Sequence, residues 1–267
     1  MQAEMMKLGQ DLILYGHVEE GKNLLHEAIA DLDGEILADL IRPDHSPELL
    51  SQADRDFILS RKKTPERYEK FLQKIWHKRE LKSQATGGNL VVSPELFLYT
   101  QDEIQRLEVE GRRIGFMPEG LSSQANRHVI NTISPHLHSL SVQKVNFVTN
   151  DVDRHGYYDY DATIFAPYKN TTERQLRNIA RRQKRTGLTL NQFAVAALDT
   201  KLFDGQYLDE DSNFFVRLLD SRYRGRVVAA RFLKDGHLVV VSDFNPKDHI
   251  EYLGGRLAGV PKLAKTL

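Results

Sequence analysis

Cysteine is absent from the chain, which excludes disulfide frameworks, thiolate zinc sites, iron–sulfur clusters and cysteine nucleophiles. A surplus of either charge is also absent. Lys and Arg number 37 and so do Asp and Glu, which removes the whole-molecule field that draws a histone-like protein to a polyanion. No stretch approaches the roughly 18 consecutive apolar residues that span a bilayer, so no membrane contact is expected. The opening Met1-Gln2-Ala3-Glu4-Met5-Met6-Lys7 lacks the basic and then apolar pattern of a secretory leader, and a cytoplasmic location is expected. Glycine (17) and proline (9) are too few for a collagen-like or linker-dominated chain. What remains is an ordinary globular composition, 40% hydrophobic and 28% charged, over 267 residues, enough for one large domain or two modest ones.

Charge is unevenly sorted within that neutral total. Residues 1–54 hold 12 acidic and 3 basic side chains, whereas residues 55–82 hold 10 basic and 4 acidic. The first 82 residues carry helical periodicity. Thr64 suits an N-cap and Pro65 a first helical turn, and Tyr68, Phe71, Leu72, Ile75 and Trp76 fall on one stripe, with Lys70, Lys74, Lys78 and Arg79 largely off it. The oppositely charged regions serve either as solvated faces that attract one another or as a docking site for a protein partner or a second copy. A Gly-rich break at Ser83–Asn89 predicts a boundary, with a helical region over 1–82 and a second region over 90–267.

Beyond the break the period turns strand-like. Ile104–Val109 and Arg112–Phe116 flank Glu110-Gly111 as a hairpin would, Ser122–Ile133 suits a helix ended by Pro135, and Val142–Val148 and Ala162–Ala166 read as strands. Phe214–Leu219 follows as a further strand, and Arg226–Leu233 and Leu238–Ser242 flank Asp235-Gly236 as a hairpin. The expected class is α+β: a helical N-terminal region followed by a mostly antiparallel sheet with an inserted helical pair.

That helical pair occupies 171–203. Thr172 with Gln175 and Thr189 with Gln192 are capping-box spacings, and Gly187 suits a helix C-terminus. From Lys169 to Gly187 seven residues are basic and one is acidic. Arg174, Arg177, Arg181 and Arg185 recur on one face, flanked by Arg182 and Lys184. Guanidinium groups on one face make bidentate, charge-assisted contacts to phosphate oxygens, so these six are candidate contacts to DNA or RNA. The competing reading is a solvated helix neutralised by the acids of 199–211 (Asp199, Asp204, Asp209, Glu210, Asp211). A second basic run, Arg217, Arg222, Arg224, Arg226 and Arg231, would form a groove with the first if the two lie side by side. Residues 162–203 resemble the ribbon-helix-helix DNA-binding family in the order strand, basic helix, Gly-Leu-Thr turn and apolar helix. The expected strand departs from that family, being preceded by Asp159 and Asp161 where base-reading polar or basic side chains belong, so no base-reading roles are assigned.

The densest acidic cluster is 150–161. Asp151 and Asp153, two apart after a strand, and Asp159 beyond them are candidate ligands for Mg²⁺ or Ca²⁺. Asp151, Asp153, His155, Gly156 and Asp159 fit part of a calcium-loop pattern, but Ala162 stands where a bidentate Glu is required. Asp151 and Asp153 with His237 and Asp243 resemble the archaeo-eukaryotic primase pattern, which implies metal-dependent nucleotidyl or phosphoryl transfer. No Ser precedes His237 at that family's spacing. The third reading of the cluster is a polar turn with its acids in water. His136 and His138 lack a third ligand, and Gly254-Gly255-Arg256 with Gly259 reads as a loop. Three functions are therefore carried forward: a phosphate-gripping nucleic-acid binder, a divalent-metal-dependent transfer enzyme, and a non-catalytic structural or assembly protein.

Overall fold

The computed structural model describes residues 19, 20, 23, 50–60, 62–85, 88–93, 95–122, 147–151, 154–210, 214–234, 236–242, 245–248 and 250–262. The helices expected upstream of residue 50, most of Ser122–Ile133 and Val142–Val148, and His136, His138, Asp153, Asp211, Asp235 and Asp243 lie outside the described residues. The architecture is α+β, helices with two mostly antiparallel sheets.

Two helices come first, α1 (Gln52–Leu59) and α2 (Pro65–Ala85). Ser51 caps α1 through a full capping box with Asp54, and Lys74 of α2 reaches that same Asp54 carboxylate at 2.9 Å. Thr64 accepts from the Arg67 amide at 3.4 Å at the start of α2. All five residues of the expected stripe are buried, and they pack on the sheet as Trp76 does edge-on to Phe116 (ring centroids 5.8 Å apart). The placement of Lys78 and Arg79 off the stripe is corrected: both are buried. Arg79 lies 4.9 Å from the Trp76 ring centre and donates to Asp199 at 2.7 Å. A charge near a helix's apolar edge can be carried inside when a carboxylate waits there, and periodicity alone does not show the carboxylate.

Ile104–Val109 is likewise corrected from strand to helix. It belongs to α3 (Gln101–Val109), whose capping box pairs Thr100 with Glu103, and Ile104 and Leu107 are buried at helical spacing. Glu110-Gly111 is thus a helix-to-strand turn leading into β1 (Arg112–Met117). After the four-residue α4 (Glu119–Ser122) come β2 (Thr149–Asn150) and β3 (Gly156–Asp161). Here the acidic cluster changes character. Its second half is a fully buried strand, not a solvated turn, and Ala162–Ala166 is the loop that follows. The Tyr158-Asp159-Tyr160-Asp161 alternation puts two tyrosines on one face and two aspartates on the other. Tyr158 donates to the Gln192 carbonyl at 3.2 Å, while Asp159 and Asp161 bind Arg112 and Arg185. Burial pushes the Tyr158 and Tyr160 hydroxyls well above the usual tyrosine range.

The helical pair follows as α5 (Glu173–Arg182) and α6 (Leu190–Asp204), separated by β4 (Thr186–Gly187). Then come β5 (Phe215–Tyr223), β6 (Arg226–Phe232), β7 (Leu238–Val241), β8 (Leu253–Gly255) and β9 (Leu257–Ala258). One sheet runs β1-β3-β9-β4 and the other β2-β5-β6-β7, with β8 parallel to β5. The β6–β7 hairpin matches the sequence reading. α6 is buried on all sides over Leu190–Ala197 and forms the centre of a core shared by α2, β1, β3, β5 and β6. Among the described residues no helix is long and apolar enough to cross a membrane.

Two glycines expected in a helix cap and a loop are strand residues. Gly187 pairs with Leu257, and a Cβ there would lie 2.4 Å from that of Leu219. Gly255 pairs with Arg217, and a Cβ there would lie 2.2 Å from Leu176 of α5. Both glycines are spacers that let α5 and β4 sit against the β5 sheet. Gly255→Ala is therefore expected to cost about 1–3 kcal/mol by overpacking. In urea unfolding, the added Leu176→Ala change should cost less in the Gly255→Ala background than in the wild type, because it removes the clash.

Candidate nucleic-acid interface

The local origin of α5 is plain in its sequence. Thr172 accepts from the Gln175 amide at 3.2 Å, and the Gln175 side chain returns to the Thr172 amide at 2.8 Å. Leu176 and Ala180 pack against Leu219 and Leu257, so the opposite face looks outward. At 100° per residue, Arg174 and Arg181 differ by only 20° around the axis and stand about 10.5 Å apart along it. Glu173 and Arg177 occupy the flank between that outward stripe and the sheet.

The six candidate cations separate into two kinds. Arg174, Arg181, Arg182 and Lys184 are exposed, and no ion pair or hydrogen bond holds their side chains among the described residues. Arg185 is only 6% exposed; it donates to Asp161 at 2.5 Å and to the Leu257 carbonyl at 2.7 Å. Arg177 is held by Glu173 at 2.9 Å and by the Leu219 carbonyl at 2.6 Å. The described acids of 199–210 pair with cations other than the exposed set. Asp199 pairs with Arg79, Asp204 with Arg113, Asp209 with Arg256 and Glu210 with Lys201.

The second basic run is also divided. Arg217 is buried and donates to the carbonyls of Thr171, Asn245 and Asp248; burial lowers its pKa. Arg231 lies 4.8 Å from the Phe215 ring centre. Arg222 joins the two runs in space. It meets Glu173 at 3.4 Å, and Glu173 also holds Arg177.

A bulge in β5 organises this junction. Leu218 faces Val228 and Arg222 faces Val227, so Leu219, Asp220 and Ser221 have no counterpart on β6. Their polar groups turn elsewhere. The Leu219 carbonyl takes Arg177, the Asp220 carbonyl takes the Asp151 amide, and the Ser221 hydroxyl takes the Leu190 amide at the head of α6. The charges alternate along the surface: Arg154–Asp220 at 2.6 Å, Asp220–Arg177 at 3.8 Å, Arg177–Glu173, Glu173–Arg222, and Arg222–Asp151 at 2.9 Å. Beyond this balanced chain lies an open groove of about 660 Å³. Arg174, Arg177 and Arg181 form its α5 wall, and Pro246 and Lys247 form the other. Lys247 is exposed, and no ion pair holds it among the described residues. The groove carries four cations against the single Glu173 carboxylate.

Of the candidate metal ligands, the described Asp151 and Asp159 lie apart, each paired with arginine. Asp151 pairs with Arg222, while Asp159 is buried between Arg112 and Arg185. The sheet register puts Asp151 beside the β5 bulge and His237 beyond the far end of β6, at least four strand residues away, or roughly 13 Å. Among the described residues no cluster of three His, Asp or Glu is arranged to hold a metal ion. No family model matches the chain, and comparisons with curated proteins and with solved structures return no match.

Lys247 escaped the sequence reading because it stands alone in its segment. The contact of the Glu173 amide with the Pro246 carbonyl, at 3.1 Å, and the Arg217 bridge from Thr171 to Asn245 and Asp248 bring it to α5. The division among the arginines is directly measurable. Arg185→Ala leaves the buried Asp161 carboxylate without its cation and is expected to cost about 3–5 kcal/mol in urea unfolding. Arg181→Ala should stay within about 0.5 kcal/mol of the wild type.

Proposed function

We propose that this protein binds nucleic acid by its phosphate backbone, in the groove between α5 and the 245–248 turn. The observation that carries the reading is that, among the described residues, no acid pairs with Arg174, Arg181, Arg182 or Lys184, while every described acid of 199–210 pairs with a cation outside α5. Arg174 and Arg181 line one wall and Lys247 faces them, so phosphate oxygens entering the groove meet donors from both sides. Arg177 and Arg185 act as positioning residues. The Arg177 guanidinium fixes α5 to the bulge and that of Arg185 fixes the chain after α5 to β3, which sets the orientation of the stripe. Phosphate contacts of this kind supply affinity and register but no base sequence, so DNA and RNA are both ligands of the groove. A net charge of zero suits a local contact surface, not a coating polycation.

The test is a pair of charge reversals. Arg174→Glu with Arg181→Glu should abolish binding to DNA and RNA in fluorescence anisotropy, while circular dichroism stays that of the wild type. With the neutral pair Arg174→Gln and Arg181→Gln, the slope of log affinity against log salt should fall by about 1.8, the share of two phosphate contacts on duplex. Unchanged affinity for both polymers in the folded charge-reversed protein would refute the assignment.

A further inference from the structure

Among the described residues three aromatic side chains stand exposed: Phe147 at 68%, Phe165 at 53% and Tyr252 at 44%. Scattered exposed rings are ordinary on a protein surface. These three, from distant parts of the chain, are all tied to one place, the start of α5, where Thr172 and Glu173 line the groove.

Phe147 is tied to it through β2. Phe147, Thr149 and Asp151 are exposed and Val148 is buried, so the first three share one face. Thr149 pairs with Arg222, and antiparallel partners point to the same face. Arg222 there meets Asp151 at 2.9 Å and Glu173 at 3.4 Å. Phe147 stands two residues, or about 7 Å, from Thr149.

Phe165 and Tyr252 are tied to the same place through the segment that enters α5. The Lys169 ammonium lies 5.5 Å from the Phe165 ring centre and 4.6 Å from that of Phe214. Lys169 is exposed, with no ion pair among the described residues. It precedes Thr172 by three residues, so their Cα atoms are at most about 11 Å apart. The Asn170 amide donates to the carbonyl of Leu253, the residue after Tyr252, at 2.9 Å. Residues 169–173 thus run from these rings to the groove.

Cations alone hold phosphates of any polymer. Rings add π faces, on which unpaired bases of any sequence stack. A duplex keeps its bases stacked on one another and offers these rings no face. We infer that Phe147, Phe165 and Tyr252 are base-stacking surfaces and that the partner is a single-stranded nucleic acid whose phosphates enter the groove. This inference rests on the groove reading above and adds the stacking surfaces and a substrate class to it.

The experiment uses the full chain in fluorescence anisotropy with three labelled probes: an oligothymidylate, an abasic strand of the same length and charge, and a duplex of that length. Phe147→Leu, Phe165→Leu and Tyr252→Leu each keep apolar bulk and remove the ring. Circular dichroism and thermal unfolding check their folds. At high salt, where phosphate attraction is screened, the wild type should bind the oligothymidylate tighter than either other probe. Each variant should bind the oligothymidylate at least about 5-fold more weakly, with its salt slope and its affinity for the abasic strand unchanged. Unchanged oligothymidylate affinity in all three folded variants, alongside a loss in the Arg174→Glu, Arg181→Glu pair, overturns the stacking surfaces and leaves the groove standing. An abasic strand bound as tightly as the oligothymidylate by the wild type does the same. A duplex bound as tightly as the oligothymidylate at high salt overturns the substrate class. A wild type that binds none of the three removes both the stacking surfaces and the groove.

Discussion

A charge taken out of water must find an opposite charge or a set of dipoles, and this requirement sorts the arginines of the protein. Arg79 with Asp199, Arg256 with Asp209, and Arg185 with Asp161 are all nearly or wholly buried pairs. Arg217 is satisfied by three backbone carbonyls. Breaking one such pair is costly, because the survivor keeps its desolvation penalty without its partner. The fold is thus committed to a particular matching of cations with acids, and the surface charge is whatever that matching leaves over.

The same requirement acts on the backbone at the β5 bulge. Leu219–Ser221 have no partners on β6, and the groups they leave open anchor α5, α6 and residue 151. Strand irregularity and helix attachment are one arrangement. It brings a basic helix, an acidic turn and a hairpin into a common neighbourhood, then balances the charges closest to the sheet. The cations farther out along α5 and at the hairpin tip are beyond the reach of that balance. Among the described residues they have no ion pair, a residue of the packing that concentrates positive charge locally in a neutral protein.

Several features were legible in the residue order. The capping boxes at Thr172 and Thr189 set the starts of α5 and α6, and the i, i+3, i+4 stripe from Tyr68 to Trp76 set the buried face of α2. Both are short-range: every interaction involved lies within a turn or two of chain. The failures share a different cause. Ile104–Val109 flanks Glu110-Gly111 as a hairpin strand would, but the Thr100–Glu103 box makes it a helix. The Tyr-Asp alternation of β3 does not look like a buried strand in isolation, because its two aspartates are acceptable inside only when Arg112 and Arg185 stand opposite. Gly187 and Gly255 are needed for close approaches to Leu219 and Leu176, which are remote in sequence.

What the sequence by itself determined is the set of elements with local signatures, the α+β class, and the concentration of basic residues between Lys169 and Gly187. What only the tertiary structure decided is which of those cations are spent on the fold. Arg181 and Arg185 sit four residues apart with the same side chain; one faces water and the other is closed in by Asp161 and Leu257. Helical spacing treats them alike, because it reports angle around an axis. In the structure the expected common face of Arg181 and Arg185 does not form, because α5 ends at Arg182 and Lys184 turns left-handed at φ +53°, which carries Arg185 off the helix; Asp161, 24 residues earlier, is then held against it by the pairing of β3 with β9, which no local window of the chain records.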